Sequence, residues 1–394
     1  MIRRPTKRAL VVGGIGTLLI LAGATAQAGW LFVLAAGVLG LVAGSFVVKH
    51  RLAAVEIHRR MPQRARVGDE IRAGLAVHNK SGSTVPMFAL DDSFEAFDPI
   101  SVGVERLAPG AHAEIELVRT AARRGHFEEG KVVLASGAPF GLALSRRVRT
   151  IRSPLTVVPR WVDLTSFPIL EPSSSPSDVL HERARTGAGE EYLGVREYRP
   201  GDPMRAVHWR STARAGKLIV REYQQEISST VGLVLAGADH GTGAGSSFEA
   251  LVSAAASIGI YSLQTGHPIH IARDHEGGIA YLGSTGKHDL LDWLAAAQPF
   301  DGSVEGLVTE MLGRVGRRGT IVLCVSTAGD TGASIESSVA RVQRAGARAI
   351  VVAARASSWV PDVIETPPPR GLGEGRVPMR AIVHGKDLES CLAG

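Results

Sequence analysis

The chain has 394 residues, with 44 Lys and Arg against 38 Asp and Glu for a formal charge of +6. Arg3, Arg4, Lys7, Arg8, Lys49 and Arg51 supply that whole excess, because the first 51 residues hold no acid and the rest carries 38 charges of each sign. A nucleic-acid-binding body needs a basic stripe on its folded part, so a neutral body argues against such a partner. Two cysteines, Cys324 and Cys391, are too few for a disulfide framework or a metal cluster of their own. Cys324 sits in the apolar run IVLCV and reads as a buried strand thiol, which suits a reducing compartment.

From Ala9 to Val48 forty residues pass without a charge, enough for two spans of about twenty residues each. Gln27, Gly29 and Trp30 mark a turn between them, and basic residues flank both outer ends. The positive-inside rule places both ends in the cytoplasm. Residues 1–51 are therefore expected to form a helical hairpin that meets the lipid bilayer through residues 9–48, in a two-helix plasma-membrane protein with cytoplasmic domains. A second reading stays open. MIRRPTKR resembles the basic start of a signal peptide and Ala26-Gln27-Ala28 a cleavage site. Cleavage there would leave residues 29–48 as one stop-transfer span, and the body would again be cytoplasmic.

Residues 52–160 carry the period of half-buried strands. Ile71, Ala73, Leu75 and Val77 alternate with other residues, as do Ala113, Ile115 and Leu117. Asn79-Lys80-Ser81-Gly82, Pro109-Gly110, Arg124-Gly125 and Gly137-Ala138-Pro139 punctuate them as turns. Short strands at this spacing predict a small β-sandwich. PSSSPSD, residues 172–178, reads as a linker, and residues 161–228 form a linker followed by a distinctive segment.

Past residue 228 strands and helices alternate. Strands are expected at 231–236, 268–272, 320–326, 349–354 and 381–384, with helices at 247–263, 288–297, 303–314 and 334–345. That order implies a mostly parallel sheet covered on both faces, a three-layer Rossmann-like domain over 229–394.

The distinctive segment is GAGEEYLGVREYRPGDPMRAVHWRSTARAGKLIVREY, residues 187–223. Asp202 as N-cap, Pro203 at the first helical position and Gly216 past the end predict one helix from Pro203 to about Ala215. Arg205 and Trp209, four apart, would then stack on one face. Before it, Val195 to Arg199 can be extended with Arg196 and Tyr198 on one side, and LIVREY (218–223) resembles a strand entering the α/β domain. Two readings of the arginines follow. Arg196, Arg205, Arg210 and Arg214 could surround an anion or a partner's acids, with Trp209 as a flat anchor. Alternatively they pair with Glu190, Glu191, Glu197, Asp202 and Glu222 and lock the segment to its own domain.

Arg196, Tyr198, Gly201, Asp202, Arg205 and Trp209, with Ala213, Arg214 and Gly216, match the signature R-x-Y-x-x-G-D-x-x-R-x-x-x-W…A-R-x-G. The chain thus resembles the bacterial domain of unknown function 58 family. Arg123-Arg124-Gly125 and Pro139-Phe140-Gly141-Leu142 match that family's two sandwich motifs, with Ala138 where the second has Asp. The resemblance implies a membrane hairpin, a β-sandwich and a von Willebrand factor A-like domain. It also implies work beside a MoxR-type AAA+ ATPase and other membrane proteins, in assembly or maturation. It implies no reaction.

A von Willebrand A-like domain can hold Mg²⁺ through D-x-S-x-S after its first strand, but here the strand runs into LVLAGADHGTG. Ala236 and Gly237 stand where the first Asp belongs, and Asp239 is displaced. Neither a G-x-G-x-x-G nor a P-loop pattern occurs, and Gly241-Thr242-Gly243 is a weak anion-site hint. No G-x-S-x-G elbow is present, and His208, His267 and His270 lack partners at triad or metal spacing. No metal or cofactor is expected. The expectation is a non-catalytic, membrane-anchored adaptor or scaffold with Arg196, Tyr198, Gly201, Asp202, Arg205, Trp209 and Arg214 at its joint or docking surface. The alternative is an enzyme or metal-dependent binder working at the edge of the α/β sheet.

Overall fold

A computed structural model describes residues 2–47, 51–168, 191–199, 202, 204–224, 230–275, 278–283, 286–317, 319–365 and 377–393. They form two compact units, one centred on residues 2–160 and the other on 161–241, 246–290 and 298–393. The 172–178 linker lies outside the described residues.

The first unit starts with strand β1 (Ile2–Pro5), then helices α1 (Lys7–Ala26) and α2 (Gly29–Val47), each long and apolar enough to cross a membrane. The turn between them uses Gln27 in the left-handed region. Ala9, Gly16 and Gly23 recur every seven residues on the buried side of α1. A Cβ on Gly16 would lie 2.8 Å from Leu39, so small residues set how closely the helices approach.

Two sheets follow. Strands β2 (Val55–Arg60), β4 (Glu70–Asn79) and β7 (His112–Thr120) make the smaller, in the order β2-β4-β7. The alternating stretches of the sequence pair directly, Ala73 with Leu117, Leu75 with Ile115 and Val77 with Ala113. The larger sheet runs β1-β9-β8-β5-β6, from β5 (Phe88–Ser93), β6 (Ile100–Val104), β8 (Gly125–Ser136) and β9 (Ala143–Val158). A short β3 (Arg64–Arg66) pairs with the far end of β9. Inward residues of both sheets, among them Val55, Leu75, Leu90, Leu117 and Leu134, share one core.

A charged cluster bridges the two sheets inside this unit. Asp92 of β5 accepts from Arg59 of β2, and from Arg119 Nη1 of β7 at 3.0 Å. The three side chains are 3%, 1% and 5% exposed respectively. Arg59 also donates to Ser153 Oγ at 3.2 Å and lies 5.0 Å above the Phe94 ring, while Arg119 lies 5.0 Å above Phe97. Gly130 makes room for this packing, since a Cβ there would come within 2.7 Å of the Arg59 guanidinium.

In the second unit β12 (Val231–Ala236), β13 (Ile269–His275), β14 (Gly278–Leu282), β15 (Thr320–Ser326), β16 (Arg348–Ala354) and β17 (Met379–Ile382) form one sheet. Its order is β14-β13-β12-β15-β16-β17, all parallel except the edge strand β14. Strands β12 and β15 are buried along their whole length, as unbroken apolar runs require when both faces are covered. Helix α4 (Ser247–Gln264) packs on β12, β15 and β16. Helices α6 (Glu305–Val315) and α8 (Ile335–Arg344) share a core with the residues of the other face, such as Val234, Leu323 and Val351. Helix α5 (Lys287–Ala295) begins in this unit, which ends at Leu290 there, and the short α7 (Gly329–Ala333) and α9 (Leu388–Ala393) complete it with the elements of the distinctive segment.

His267, between α4 and β13, is buried with neither ring nitrogen hydrogen-bonded to a described residue. Burial pushes its pKa down, and burial followed by Arg314 does the same to His270. A depressed histidine binds fewer protons folded than unfolded, so stability is complete above the unfolded value of about 6.5 and declines as pH falls below it. His267→Gln should flatten that decline by up to about 1.4 kcal/mol per pH unit. Thermal melts from pH 7 to 5 test this, and an unchanged slope would count against it.

Candidate functional site

The distinctive segment is a small layer of its own in the second unit. Strand β10 (Glu191–Glu197) pairs antiparallel with β11 (Ile219–Gln224) in a two-stranded sheet, so β11 does not enter the main sheet as LIVREY suggested. Between them runs a 3-10 turn at Met204–Ala206 and then helix α3 (Trp209–Ala215).

The single helix expected from Pro203 is thus broken. Val207 forms a bridge with Val220, and His208 N donates to Ile219 O at 2.7 Å. Pairing with β11 holds the chain extended at that point, so the helix starts two residues later, with His208 at its N-cap. Gly216 ends it in the left-handed region, as the cap chemistry anticipated. Arg205 and Trp209 therefore stand on different elements, and the expected i to i+4 stack is not formed.

Asp202 has another task than capping. Its Oδ2 and Oδ1 accept from Arg196 Nη1 and Nη2 at 2.7 and 2.8 Å, a two-pronged pair, and Oδ2 also accepts from Arg199 N at 2.8 Å. Arg196 additionally donates to Glu197 O at 3.1 Å. Tyr198 N donates to Leu218 O at 2.9 Å, and Lys217 pairs with Glu197 at 2.9 Å. Thr212 Oγ1 accepts from Ile219 N at 3.0 Å, and Val207 and Val220 are buried beneath. The bonds of Asp202, Tyr198 N, Thr212 and His208 N, rather than the exposed Lys217 pair, fix the strand, turn and helix against one another.

The remaining basic residues face outward. Arg205, Arg210 and Arg214 are exposed and make no ion pair with a described residue. Trp209 is 63% exposed and Met204 is 56% exposed. Arg196 is thus paired with Asp202, whereas Arg205, Arg210 and Arg214 are exposed. Gly201 and Glu190 lie outside the described residues, as do the side chains of Glu191 and Glu222.

At the C-terminal edge of the main sheet, Asp239, Asp301 and Glu365 each accept hydrogen bonds from the fold around them. Asp239 Oδ1 accepts from Phe248 N at 3.2 Å in the first turn of α4. Asp301 Oδ1 accepts from Thr331 N at 3.3 Å. Glu365 Oε1 accepts from Ser357 N at 2.8 Å and Thr327 Oγ1 at 3.0 Å. Burial pushes the Glu365 carboxyl up, but those bonds and Arg355 outweigh it and hold the pKa below the ordinary value. No three His, Cys, Asp or Glu among the described residues converge as a metal site would require. Burial raises the Cys324 thiol to about 12, which leaves it protonated on its strand.

Residues 194–363 match the family described as "Protein of unknown function DUF58". The comparison with curated proteins returned no match. Among solved structures, a Pseudomonas fluorescens alkylpurine DNA glycosylase bound to DNA containing an abasic-site analogue matches at 15% identity and a TM-score of 0.14. That match covers 25% of this chain and 31% of the glycosylase. A Vibrio harveyi exo-β-N-acetylglucosaminidase matches at 10% identity and a TM-score of 0.18, over 76% of this chain and 57% of the other. This chain thus spans less than two thirds of either protein, and likenesses at such scores carry no argument.

Proposed function

Residues 194–363 place this chain in the family of proteins of unknown function DUF58, and from that premise we propose that it is a membrane-anchored docking protein. Its partner surface is the outward side of the segment at 204–214. One observation carries this reading: Trp209 and Met204 are exposed beside Arg205, Arg210 and Arg214, on a segment whose own bonds hold it in shape. Aromatic and Arg side chains on a rigid support are the usual centres of binding energy in protein interfaces. The partner we propose has acidic and apolar residues together, and the family resemblance suggests a MoxR-type AAA+ ATPase, acting in assembly or maturation of other proteins.

The two apolar helices are the proposed anchor in the plasma membrane, and basic residues at both outer ends favour a cytoplasmic body. The α/β unit is proposed to be von Willebrand factor A-like, on the strength of its parallel order with an antiparallel edge strand. The body is read as a platform without a reaction of its own.

Binding of the full chain in nanodiscs to a purified MoxR-type ATPase tests the proposal. Trp209→Ala is expected to weaken it by about 2 kcal/mol or more, roughly 30-fold, and Arg205→Ala by a smaller factor. Lys217→Ala, which removes an exposed pair with Glu197, should leave it within twofold. Equal binding by Trp209→Ala and the unaltered chain would remove the docking surface.

A further inference from the structure

The first unit joins the hairpin to the sandwich with almost no intervening chain. Strand β1 pairs with the start of β9, Arg4 opposite Leu144 and Pro5 opposite Ala143. Thr6 follows and is the N-cap of α1, its side chain accepting from Ala9 N. The same Thr6 donates from N to Leu142 O at 3.0 Å and from Oγ1 to Gly141 O at 2.8 Å. The turn at Pro139–Gly141 is therefore fastened to the first turn of α1.

That turn displays apolar side chains where a soluble sandwich has no use for them. Phe140 at its tip is 54% exposed. Met87, 66% exposed, lies beside the base of the turn, because Ser136 Oγ donates to Met87 O at 2.7 Å and accepts from Ala138 N. Leu144 is exposed across the ladder from Arg4. Arg4, Lys7 and Arg8 are exposed as well: Arg4 stands opposite Leu144, Arg8 Nη1 comes within 3.8 Å of a Cβ placed on Gly141, and Lys7 follows Thr6. Scattered exposed apolar residues need no explanation, but three near the foot of a span-length helix, with exposed cations on the adjoining residues, match the boundary between acyl chains and anionic headgroups.

We propose that the Pro139–Gly141 turn is a bilayer-interface anchor, with Phe140 and Met87 at the acyl boundary and Arg4, Lys7 and Arg8 on acidic phospholipid headgroups. The proposal rests on the hairpin being inserted. It assigns a task to the Pro-Phe-Gly-Leu motif, which the docking surface leaves without one. It also fixes which end of β9 faces lipid.

Nitroxide labels on the full chain in nanodiscs of mixed phosphatidylglycerol and phosphatidylcholine provide the test. Cys391→Ser supplies the background, since Cys324 is fully buried with its thiol protonated. Labels go at Phe140→Cys, at Val33→Cys on the exposed side of α2, and at Glu70→Cys. Glu70 follows the turn that Val67 N fastens to Val158 O at the opposite end of β9. Collisions with oxygen should exceed those with a water-soluble nickel chelate at 33 and at 140, and the reverse should hold at 70. Replacing phosphatidylglycerol by phosphatidylcholine should raise nickel access at 140 and leave 33 unchanged. Lipid shielding at 33 with nickel access at 140 equal to that at 70 would overturn the interface anchor alone. Nickel access at 33 would overturn the anchoring reading and this inference with it. Indifference of position 140 to lipid charge would overturn the role given to acidic headgroups.

Discussion

Asp92→Ala is expected to lower the unfolding free energy by about 3–5 kcal/mol. The carboxylate stands between Arg59 and Arg119, one from each outer strand of the smaller sheet, and all three side chains are almost wholly enclosed. Removing it leaves two guanidinium groups facing each other away from water, and the Phe94 and Phe97 rings offset only part of that. Burial already lowers the Arg119 pKa against the opposing pull of Asp92, so loss of the acid removes the influence that keeps that charge tolerable. Asp92→Asn should cost nearly as much, since shape is kept and charge is not. Replacing all three with apolar residues of similar volume should be close to neutral, because the desolvation of all three ions is then avoided as well. Denaturant unfolding of the full chain in detergent, followed by circular dichroism, measures the series. A loss below about 1 kcal/mol for Asp92→Ala would mean that water reaches the cluster.

Asp202→Ala is the second large effect. The residue accepts three charge-assisted bonds, two from Arg196 and one from Arg199 N, with its side chain 10% exposed. Bonds of this kind contribute about 1.5–3 kcal/mol each when lost singly, and shared partners make the sum less than additive. A local loss of about 3 kcal/mol is expected, read as faster hydrogen exchange at Val195–Glu197 and Ile219–Val220, with β12 and β15 protected as before. Partner binding should fall together with it. Trp209→Ala should by contrast weaken binding with exchange unchanged, because that side chain faces solvent. If Asp202→Ala exchanges like the unaltered chain, the Arg196 pair does not hold the segment together.

Patterning made much of this architecture readable. VGLVLA and TIVLCVS are unbroken apolar runs because both faces of a central parallel strand are covered, and the strands fall there. Strand β1 leaves no local signal, since Ile-Arg-Arg-Pro carries no periodicity and its basic residues also serve as a hairpin flank. It exists because β9 offers sixteen residues of ladder, a fact written elsewhere in the chain. The helix at 203–215 failed for a related reason. Its caps were sound local chemistry, but Val207 found a partner in Val220, and no local rule contains that pairing. Residue identities at the candidate site were legible, whereas their facing was not. Arg196 and Arg205 are alike as letters and differ only in whether Asp202 is within reach. The buried acid did leave a signal: Phe88, Leu90 and Asp92 share one face of β5, as Ile115, Leu117 and Arg119 do of β7.

The joint at Thr6 bears on search volume. A flexible leash of ten residues would let a tethered body wander through a radius of about 17 Å. Here the last residue of a sheet strand and the first of a long helix are separated by one residue, which is bonded to Gly141, Leu142 and Ala9. The first unit has no slack to spend at this end of the hairpin. A partner meeting it would encounter one orientation rather than an average over many, and any torque on the sandwich would pass straight into α1. Inserting a short Gly-Ser stretch after Thr6 would trade that fixed bearing for reach.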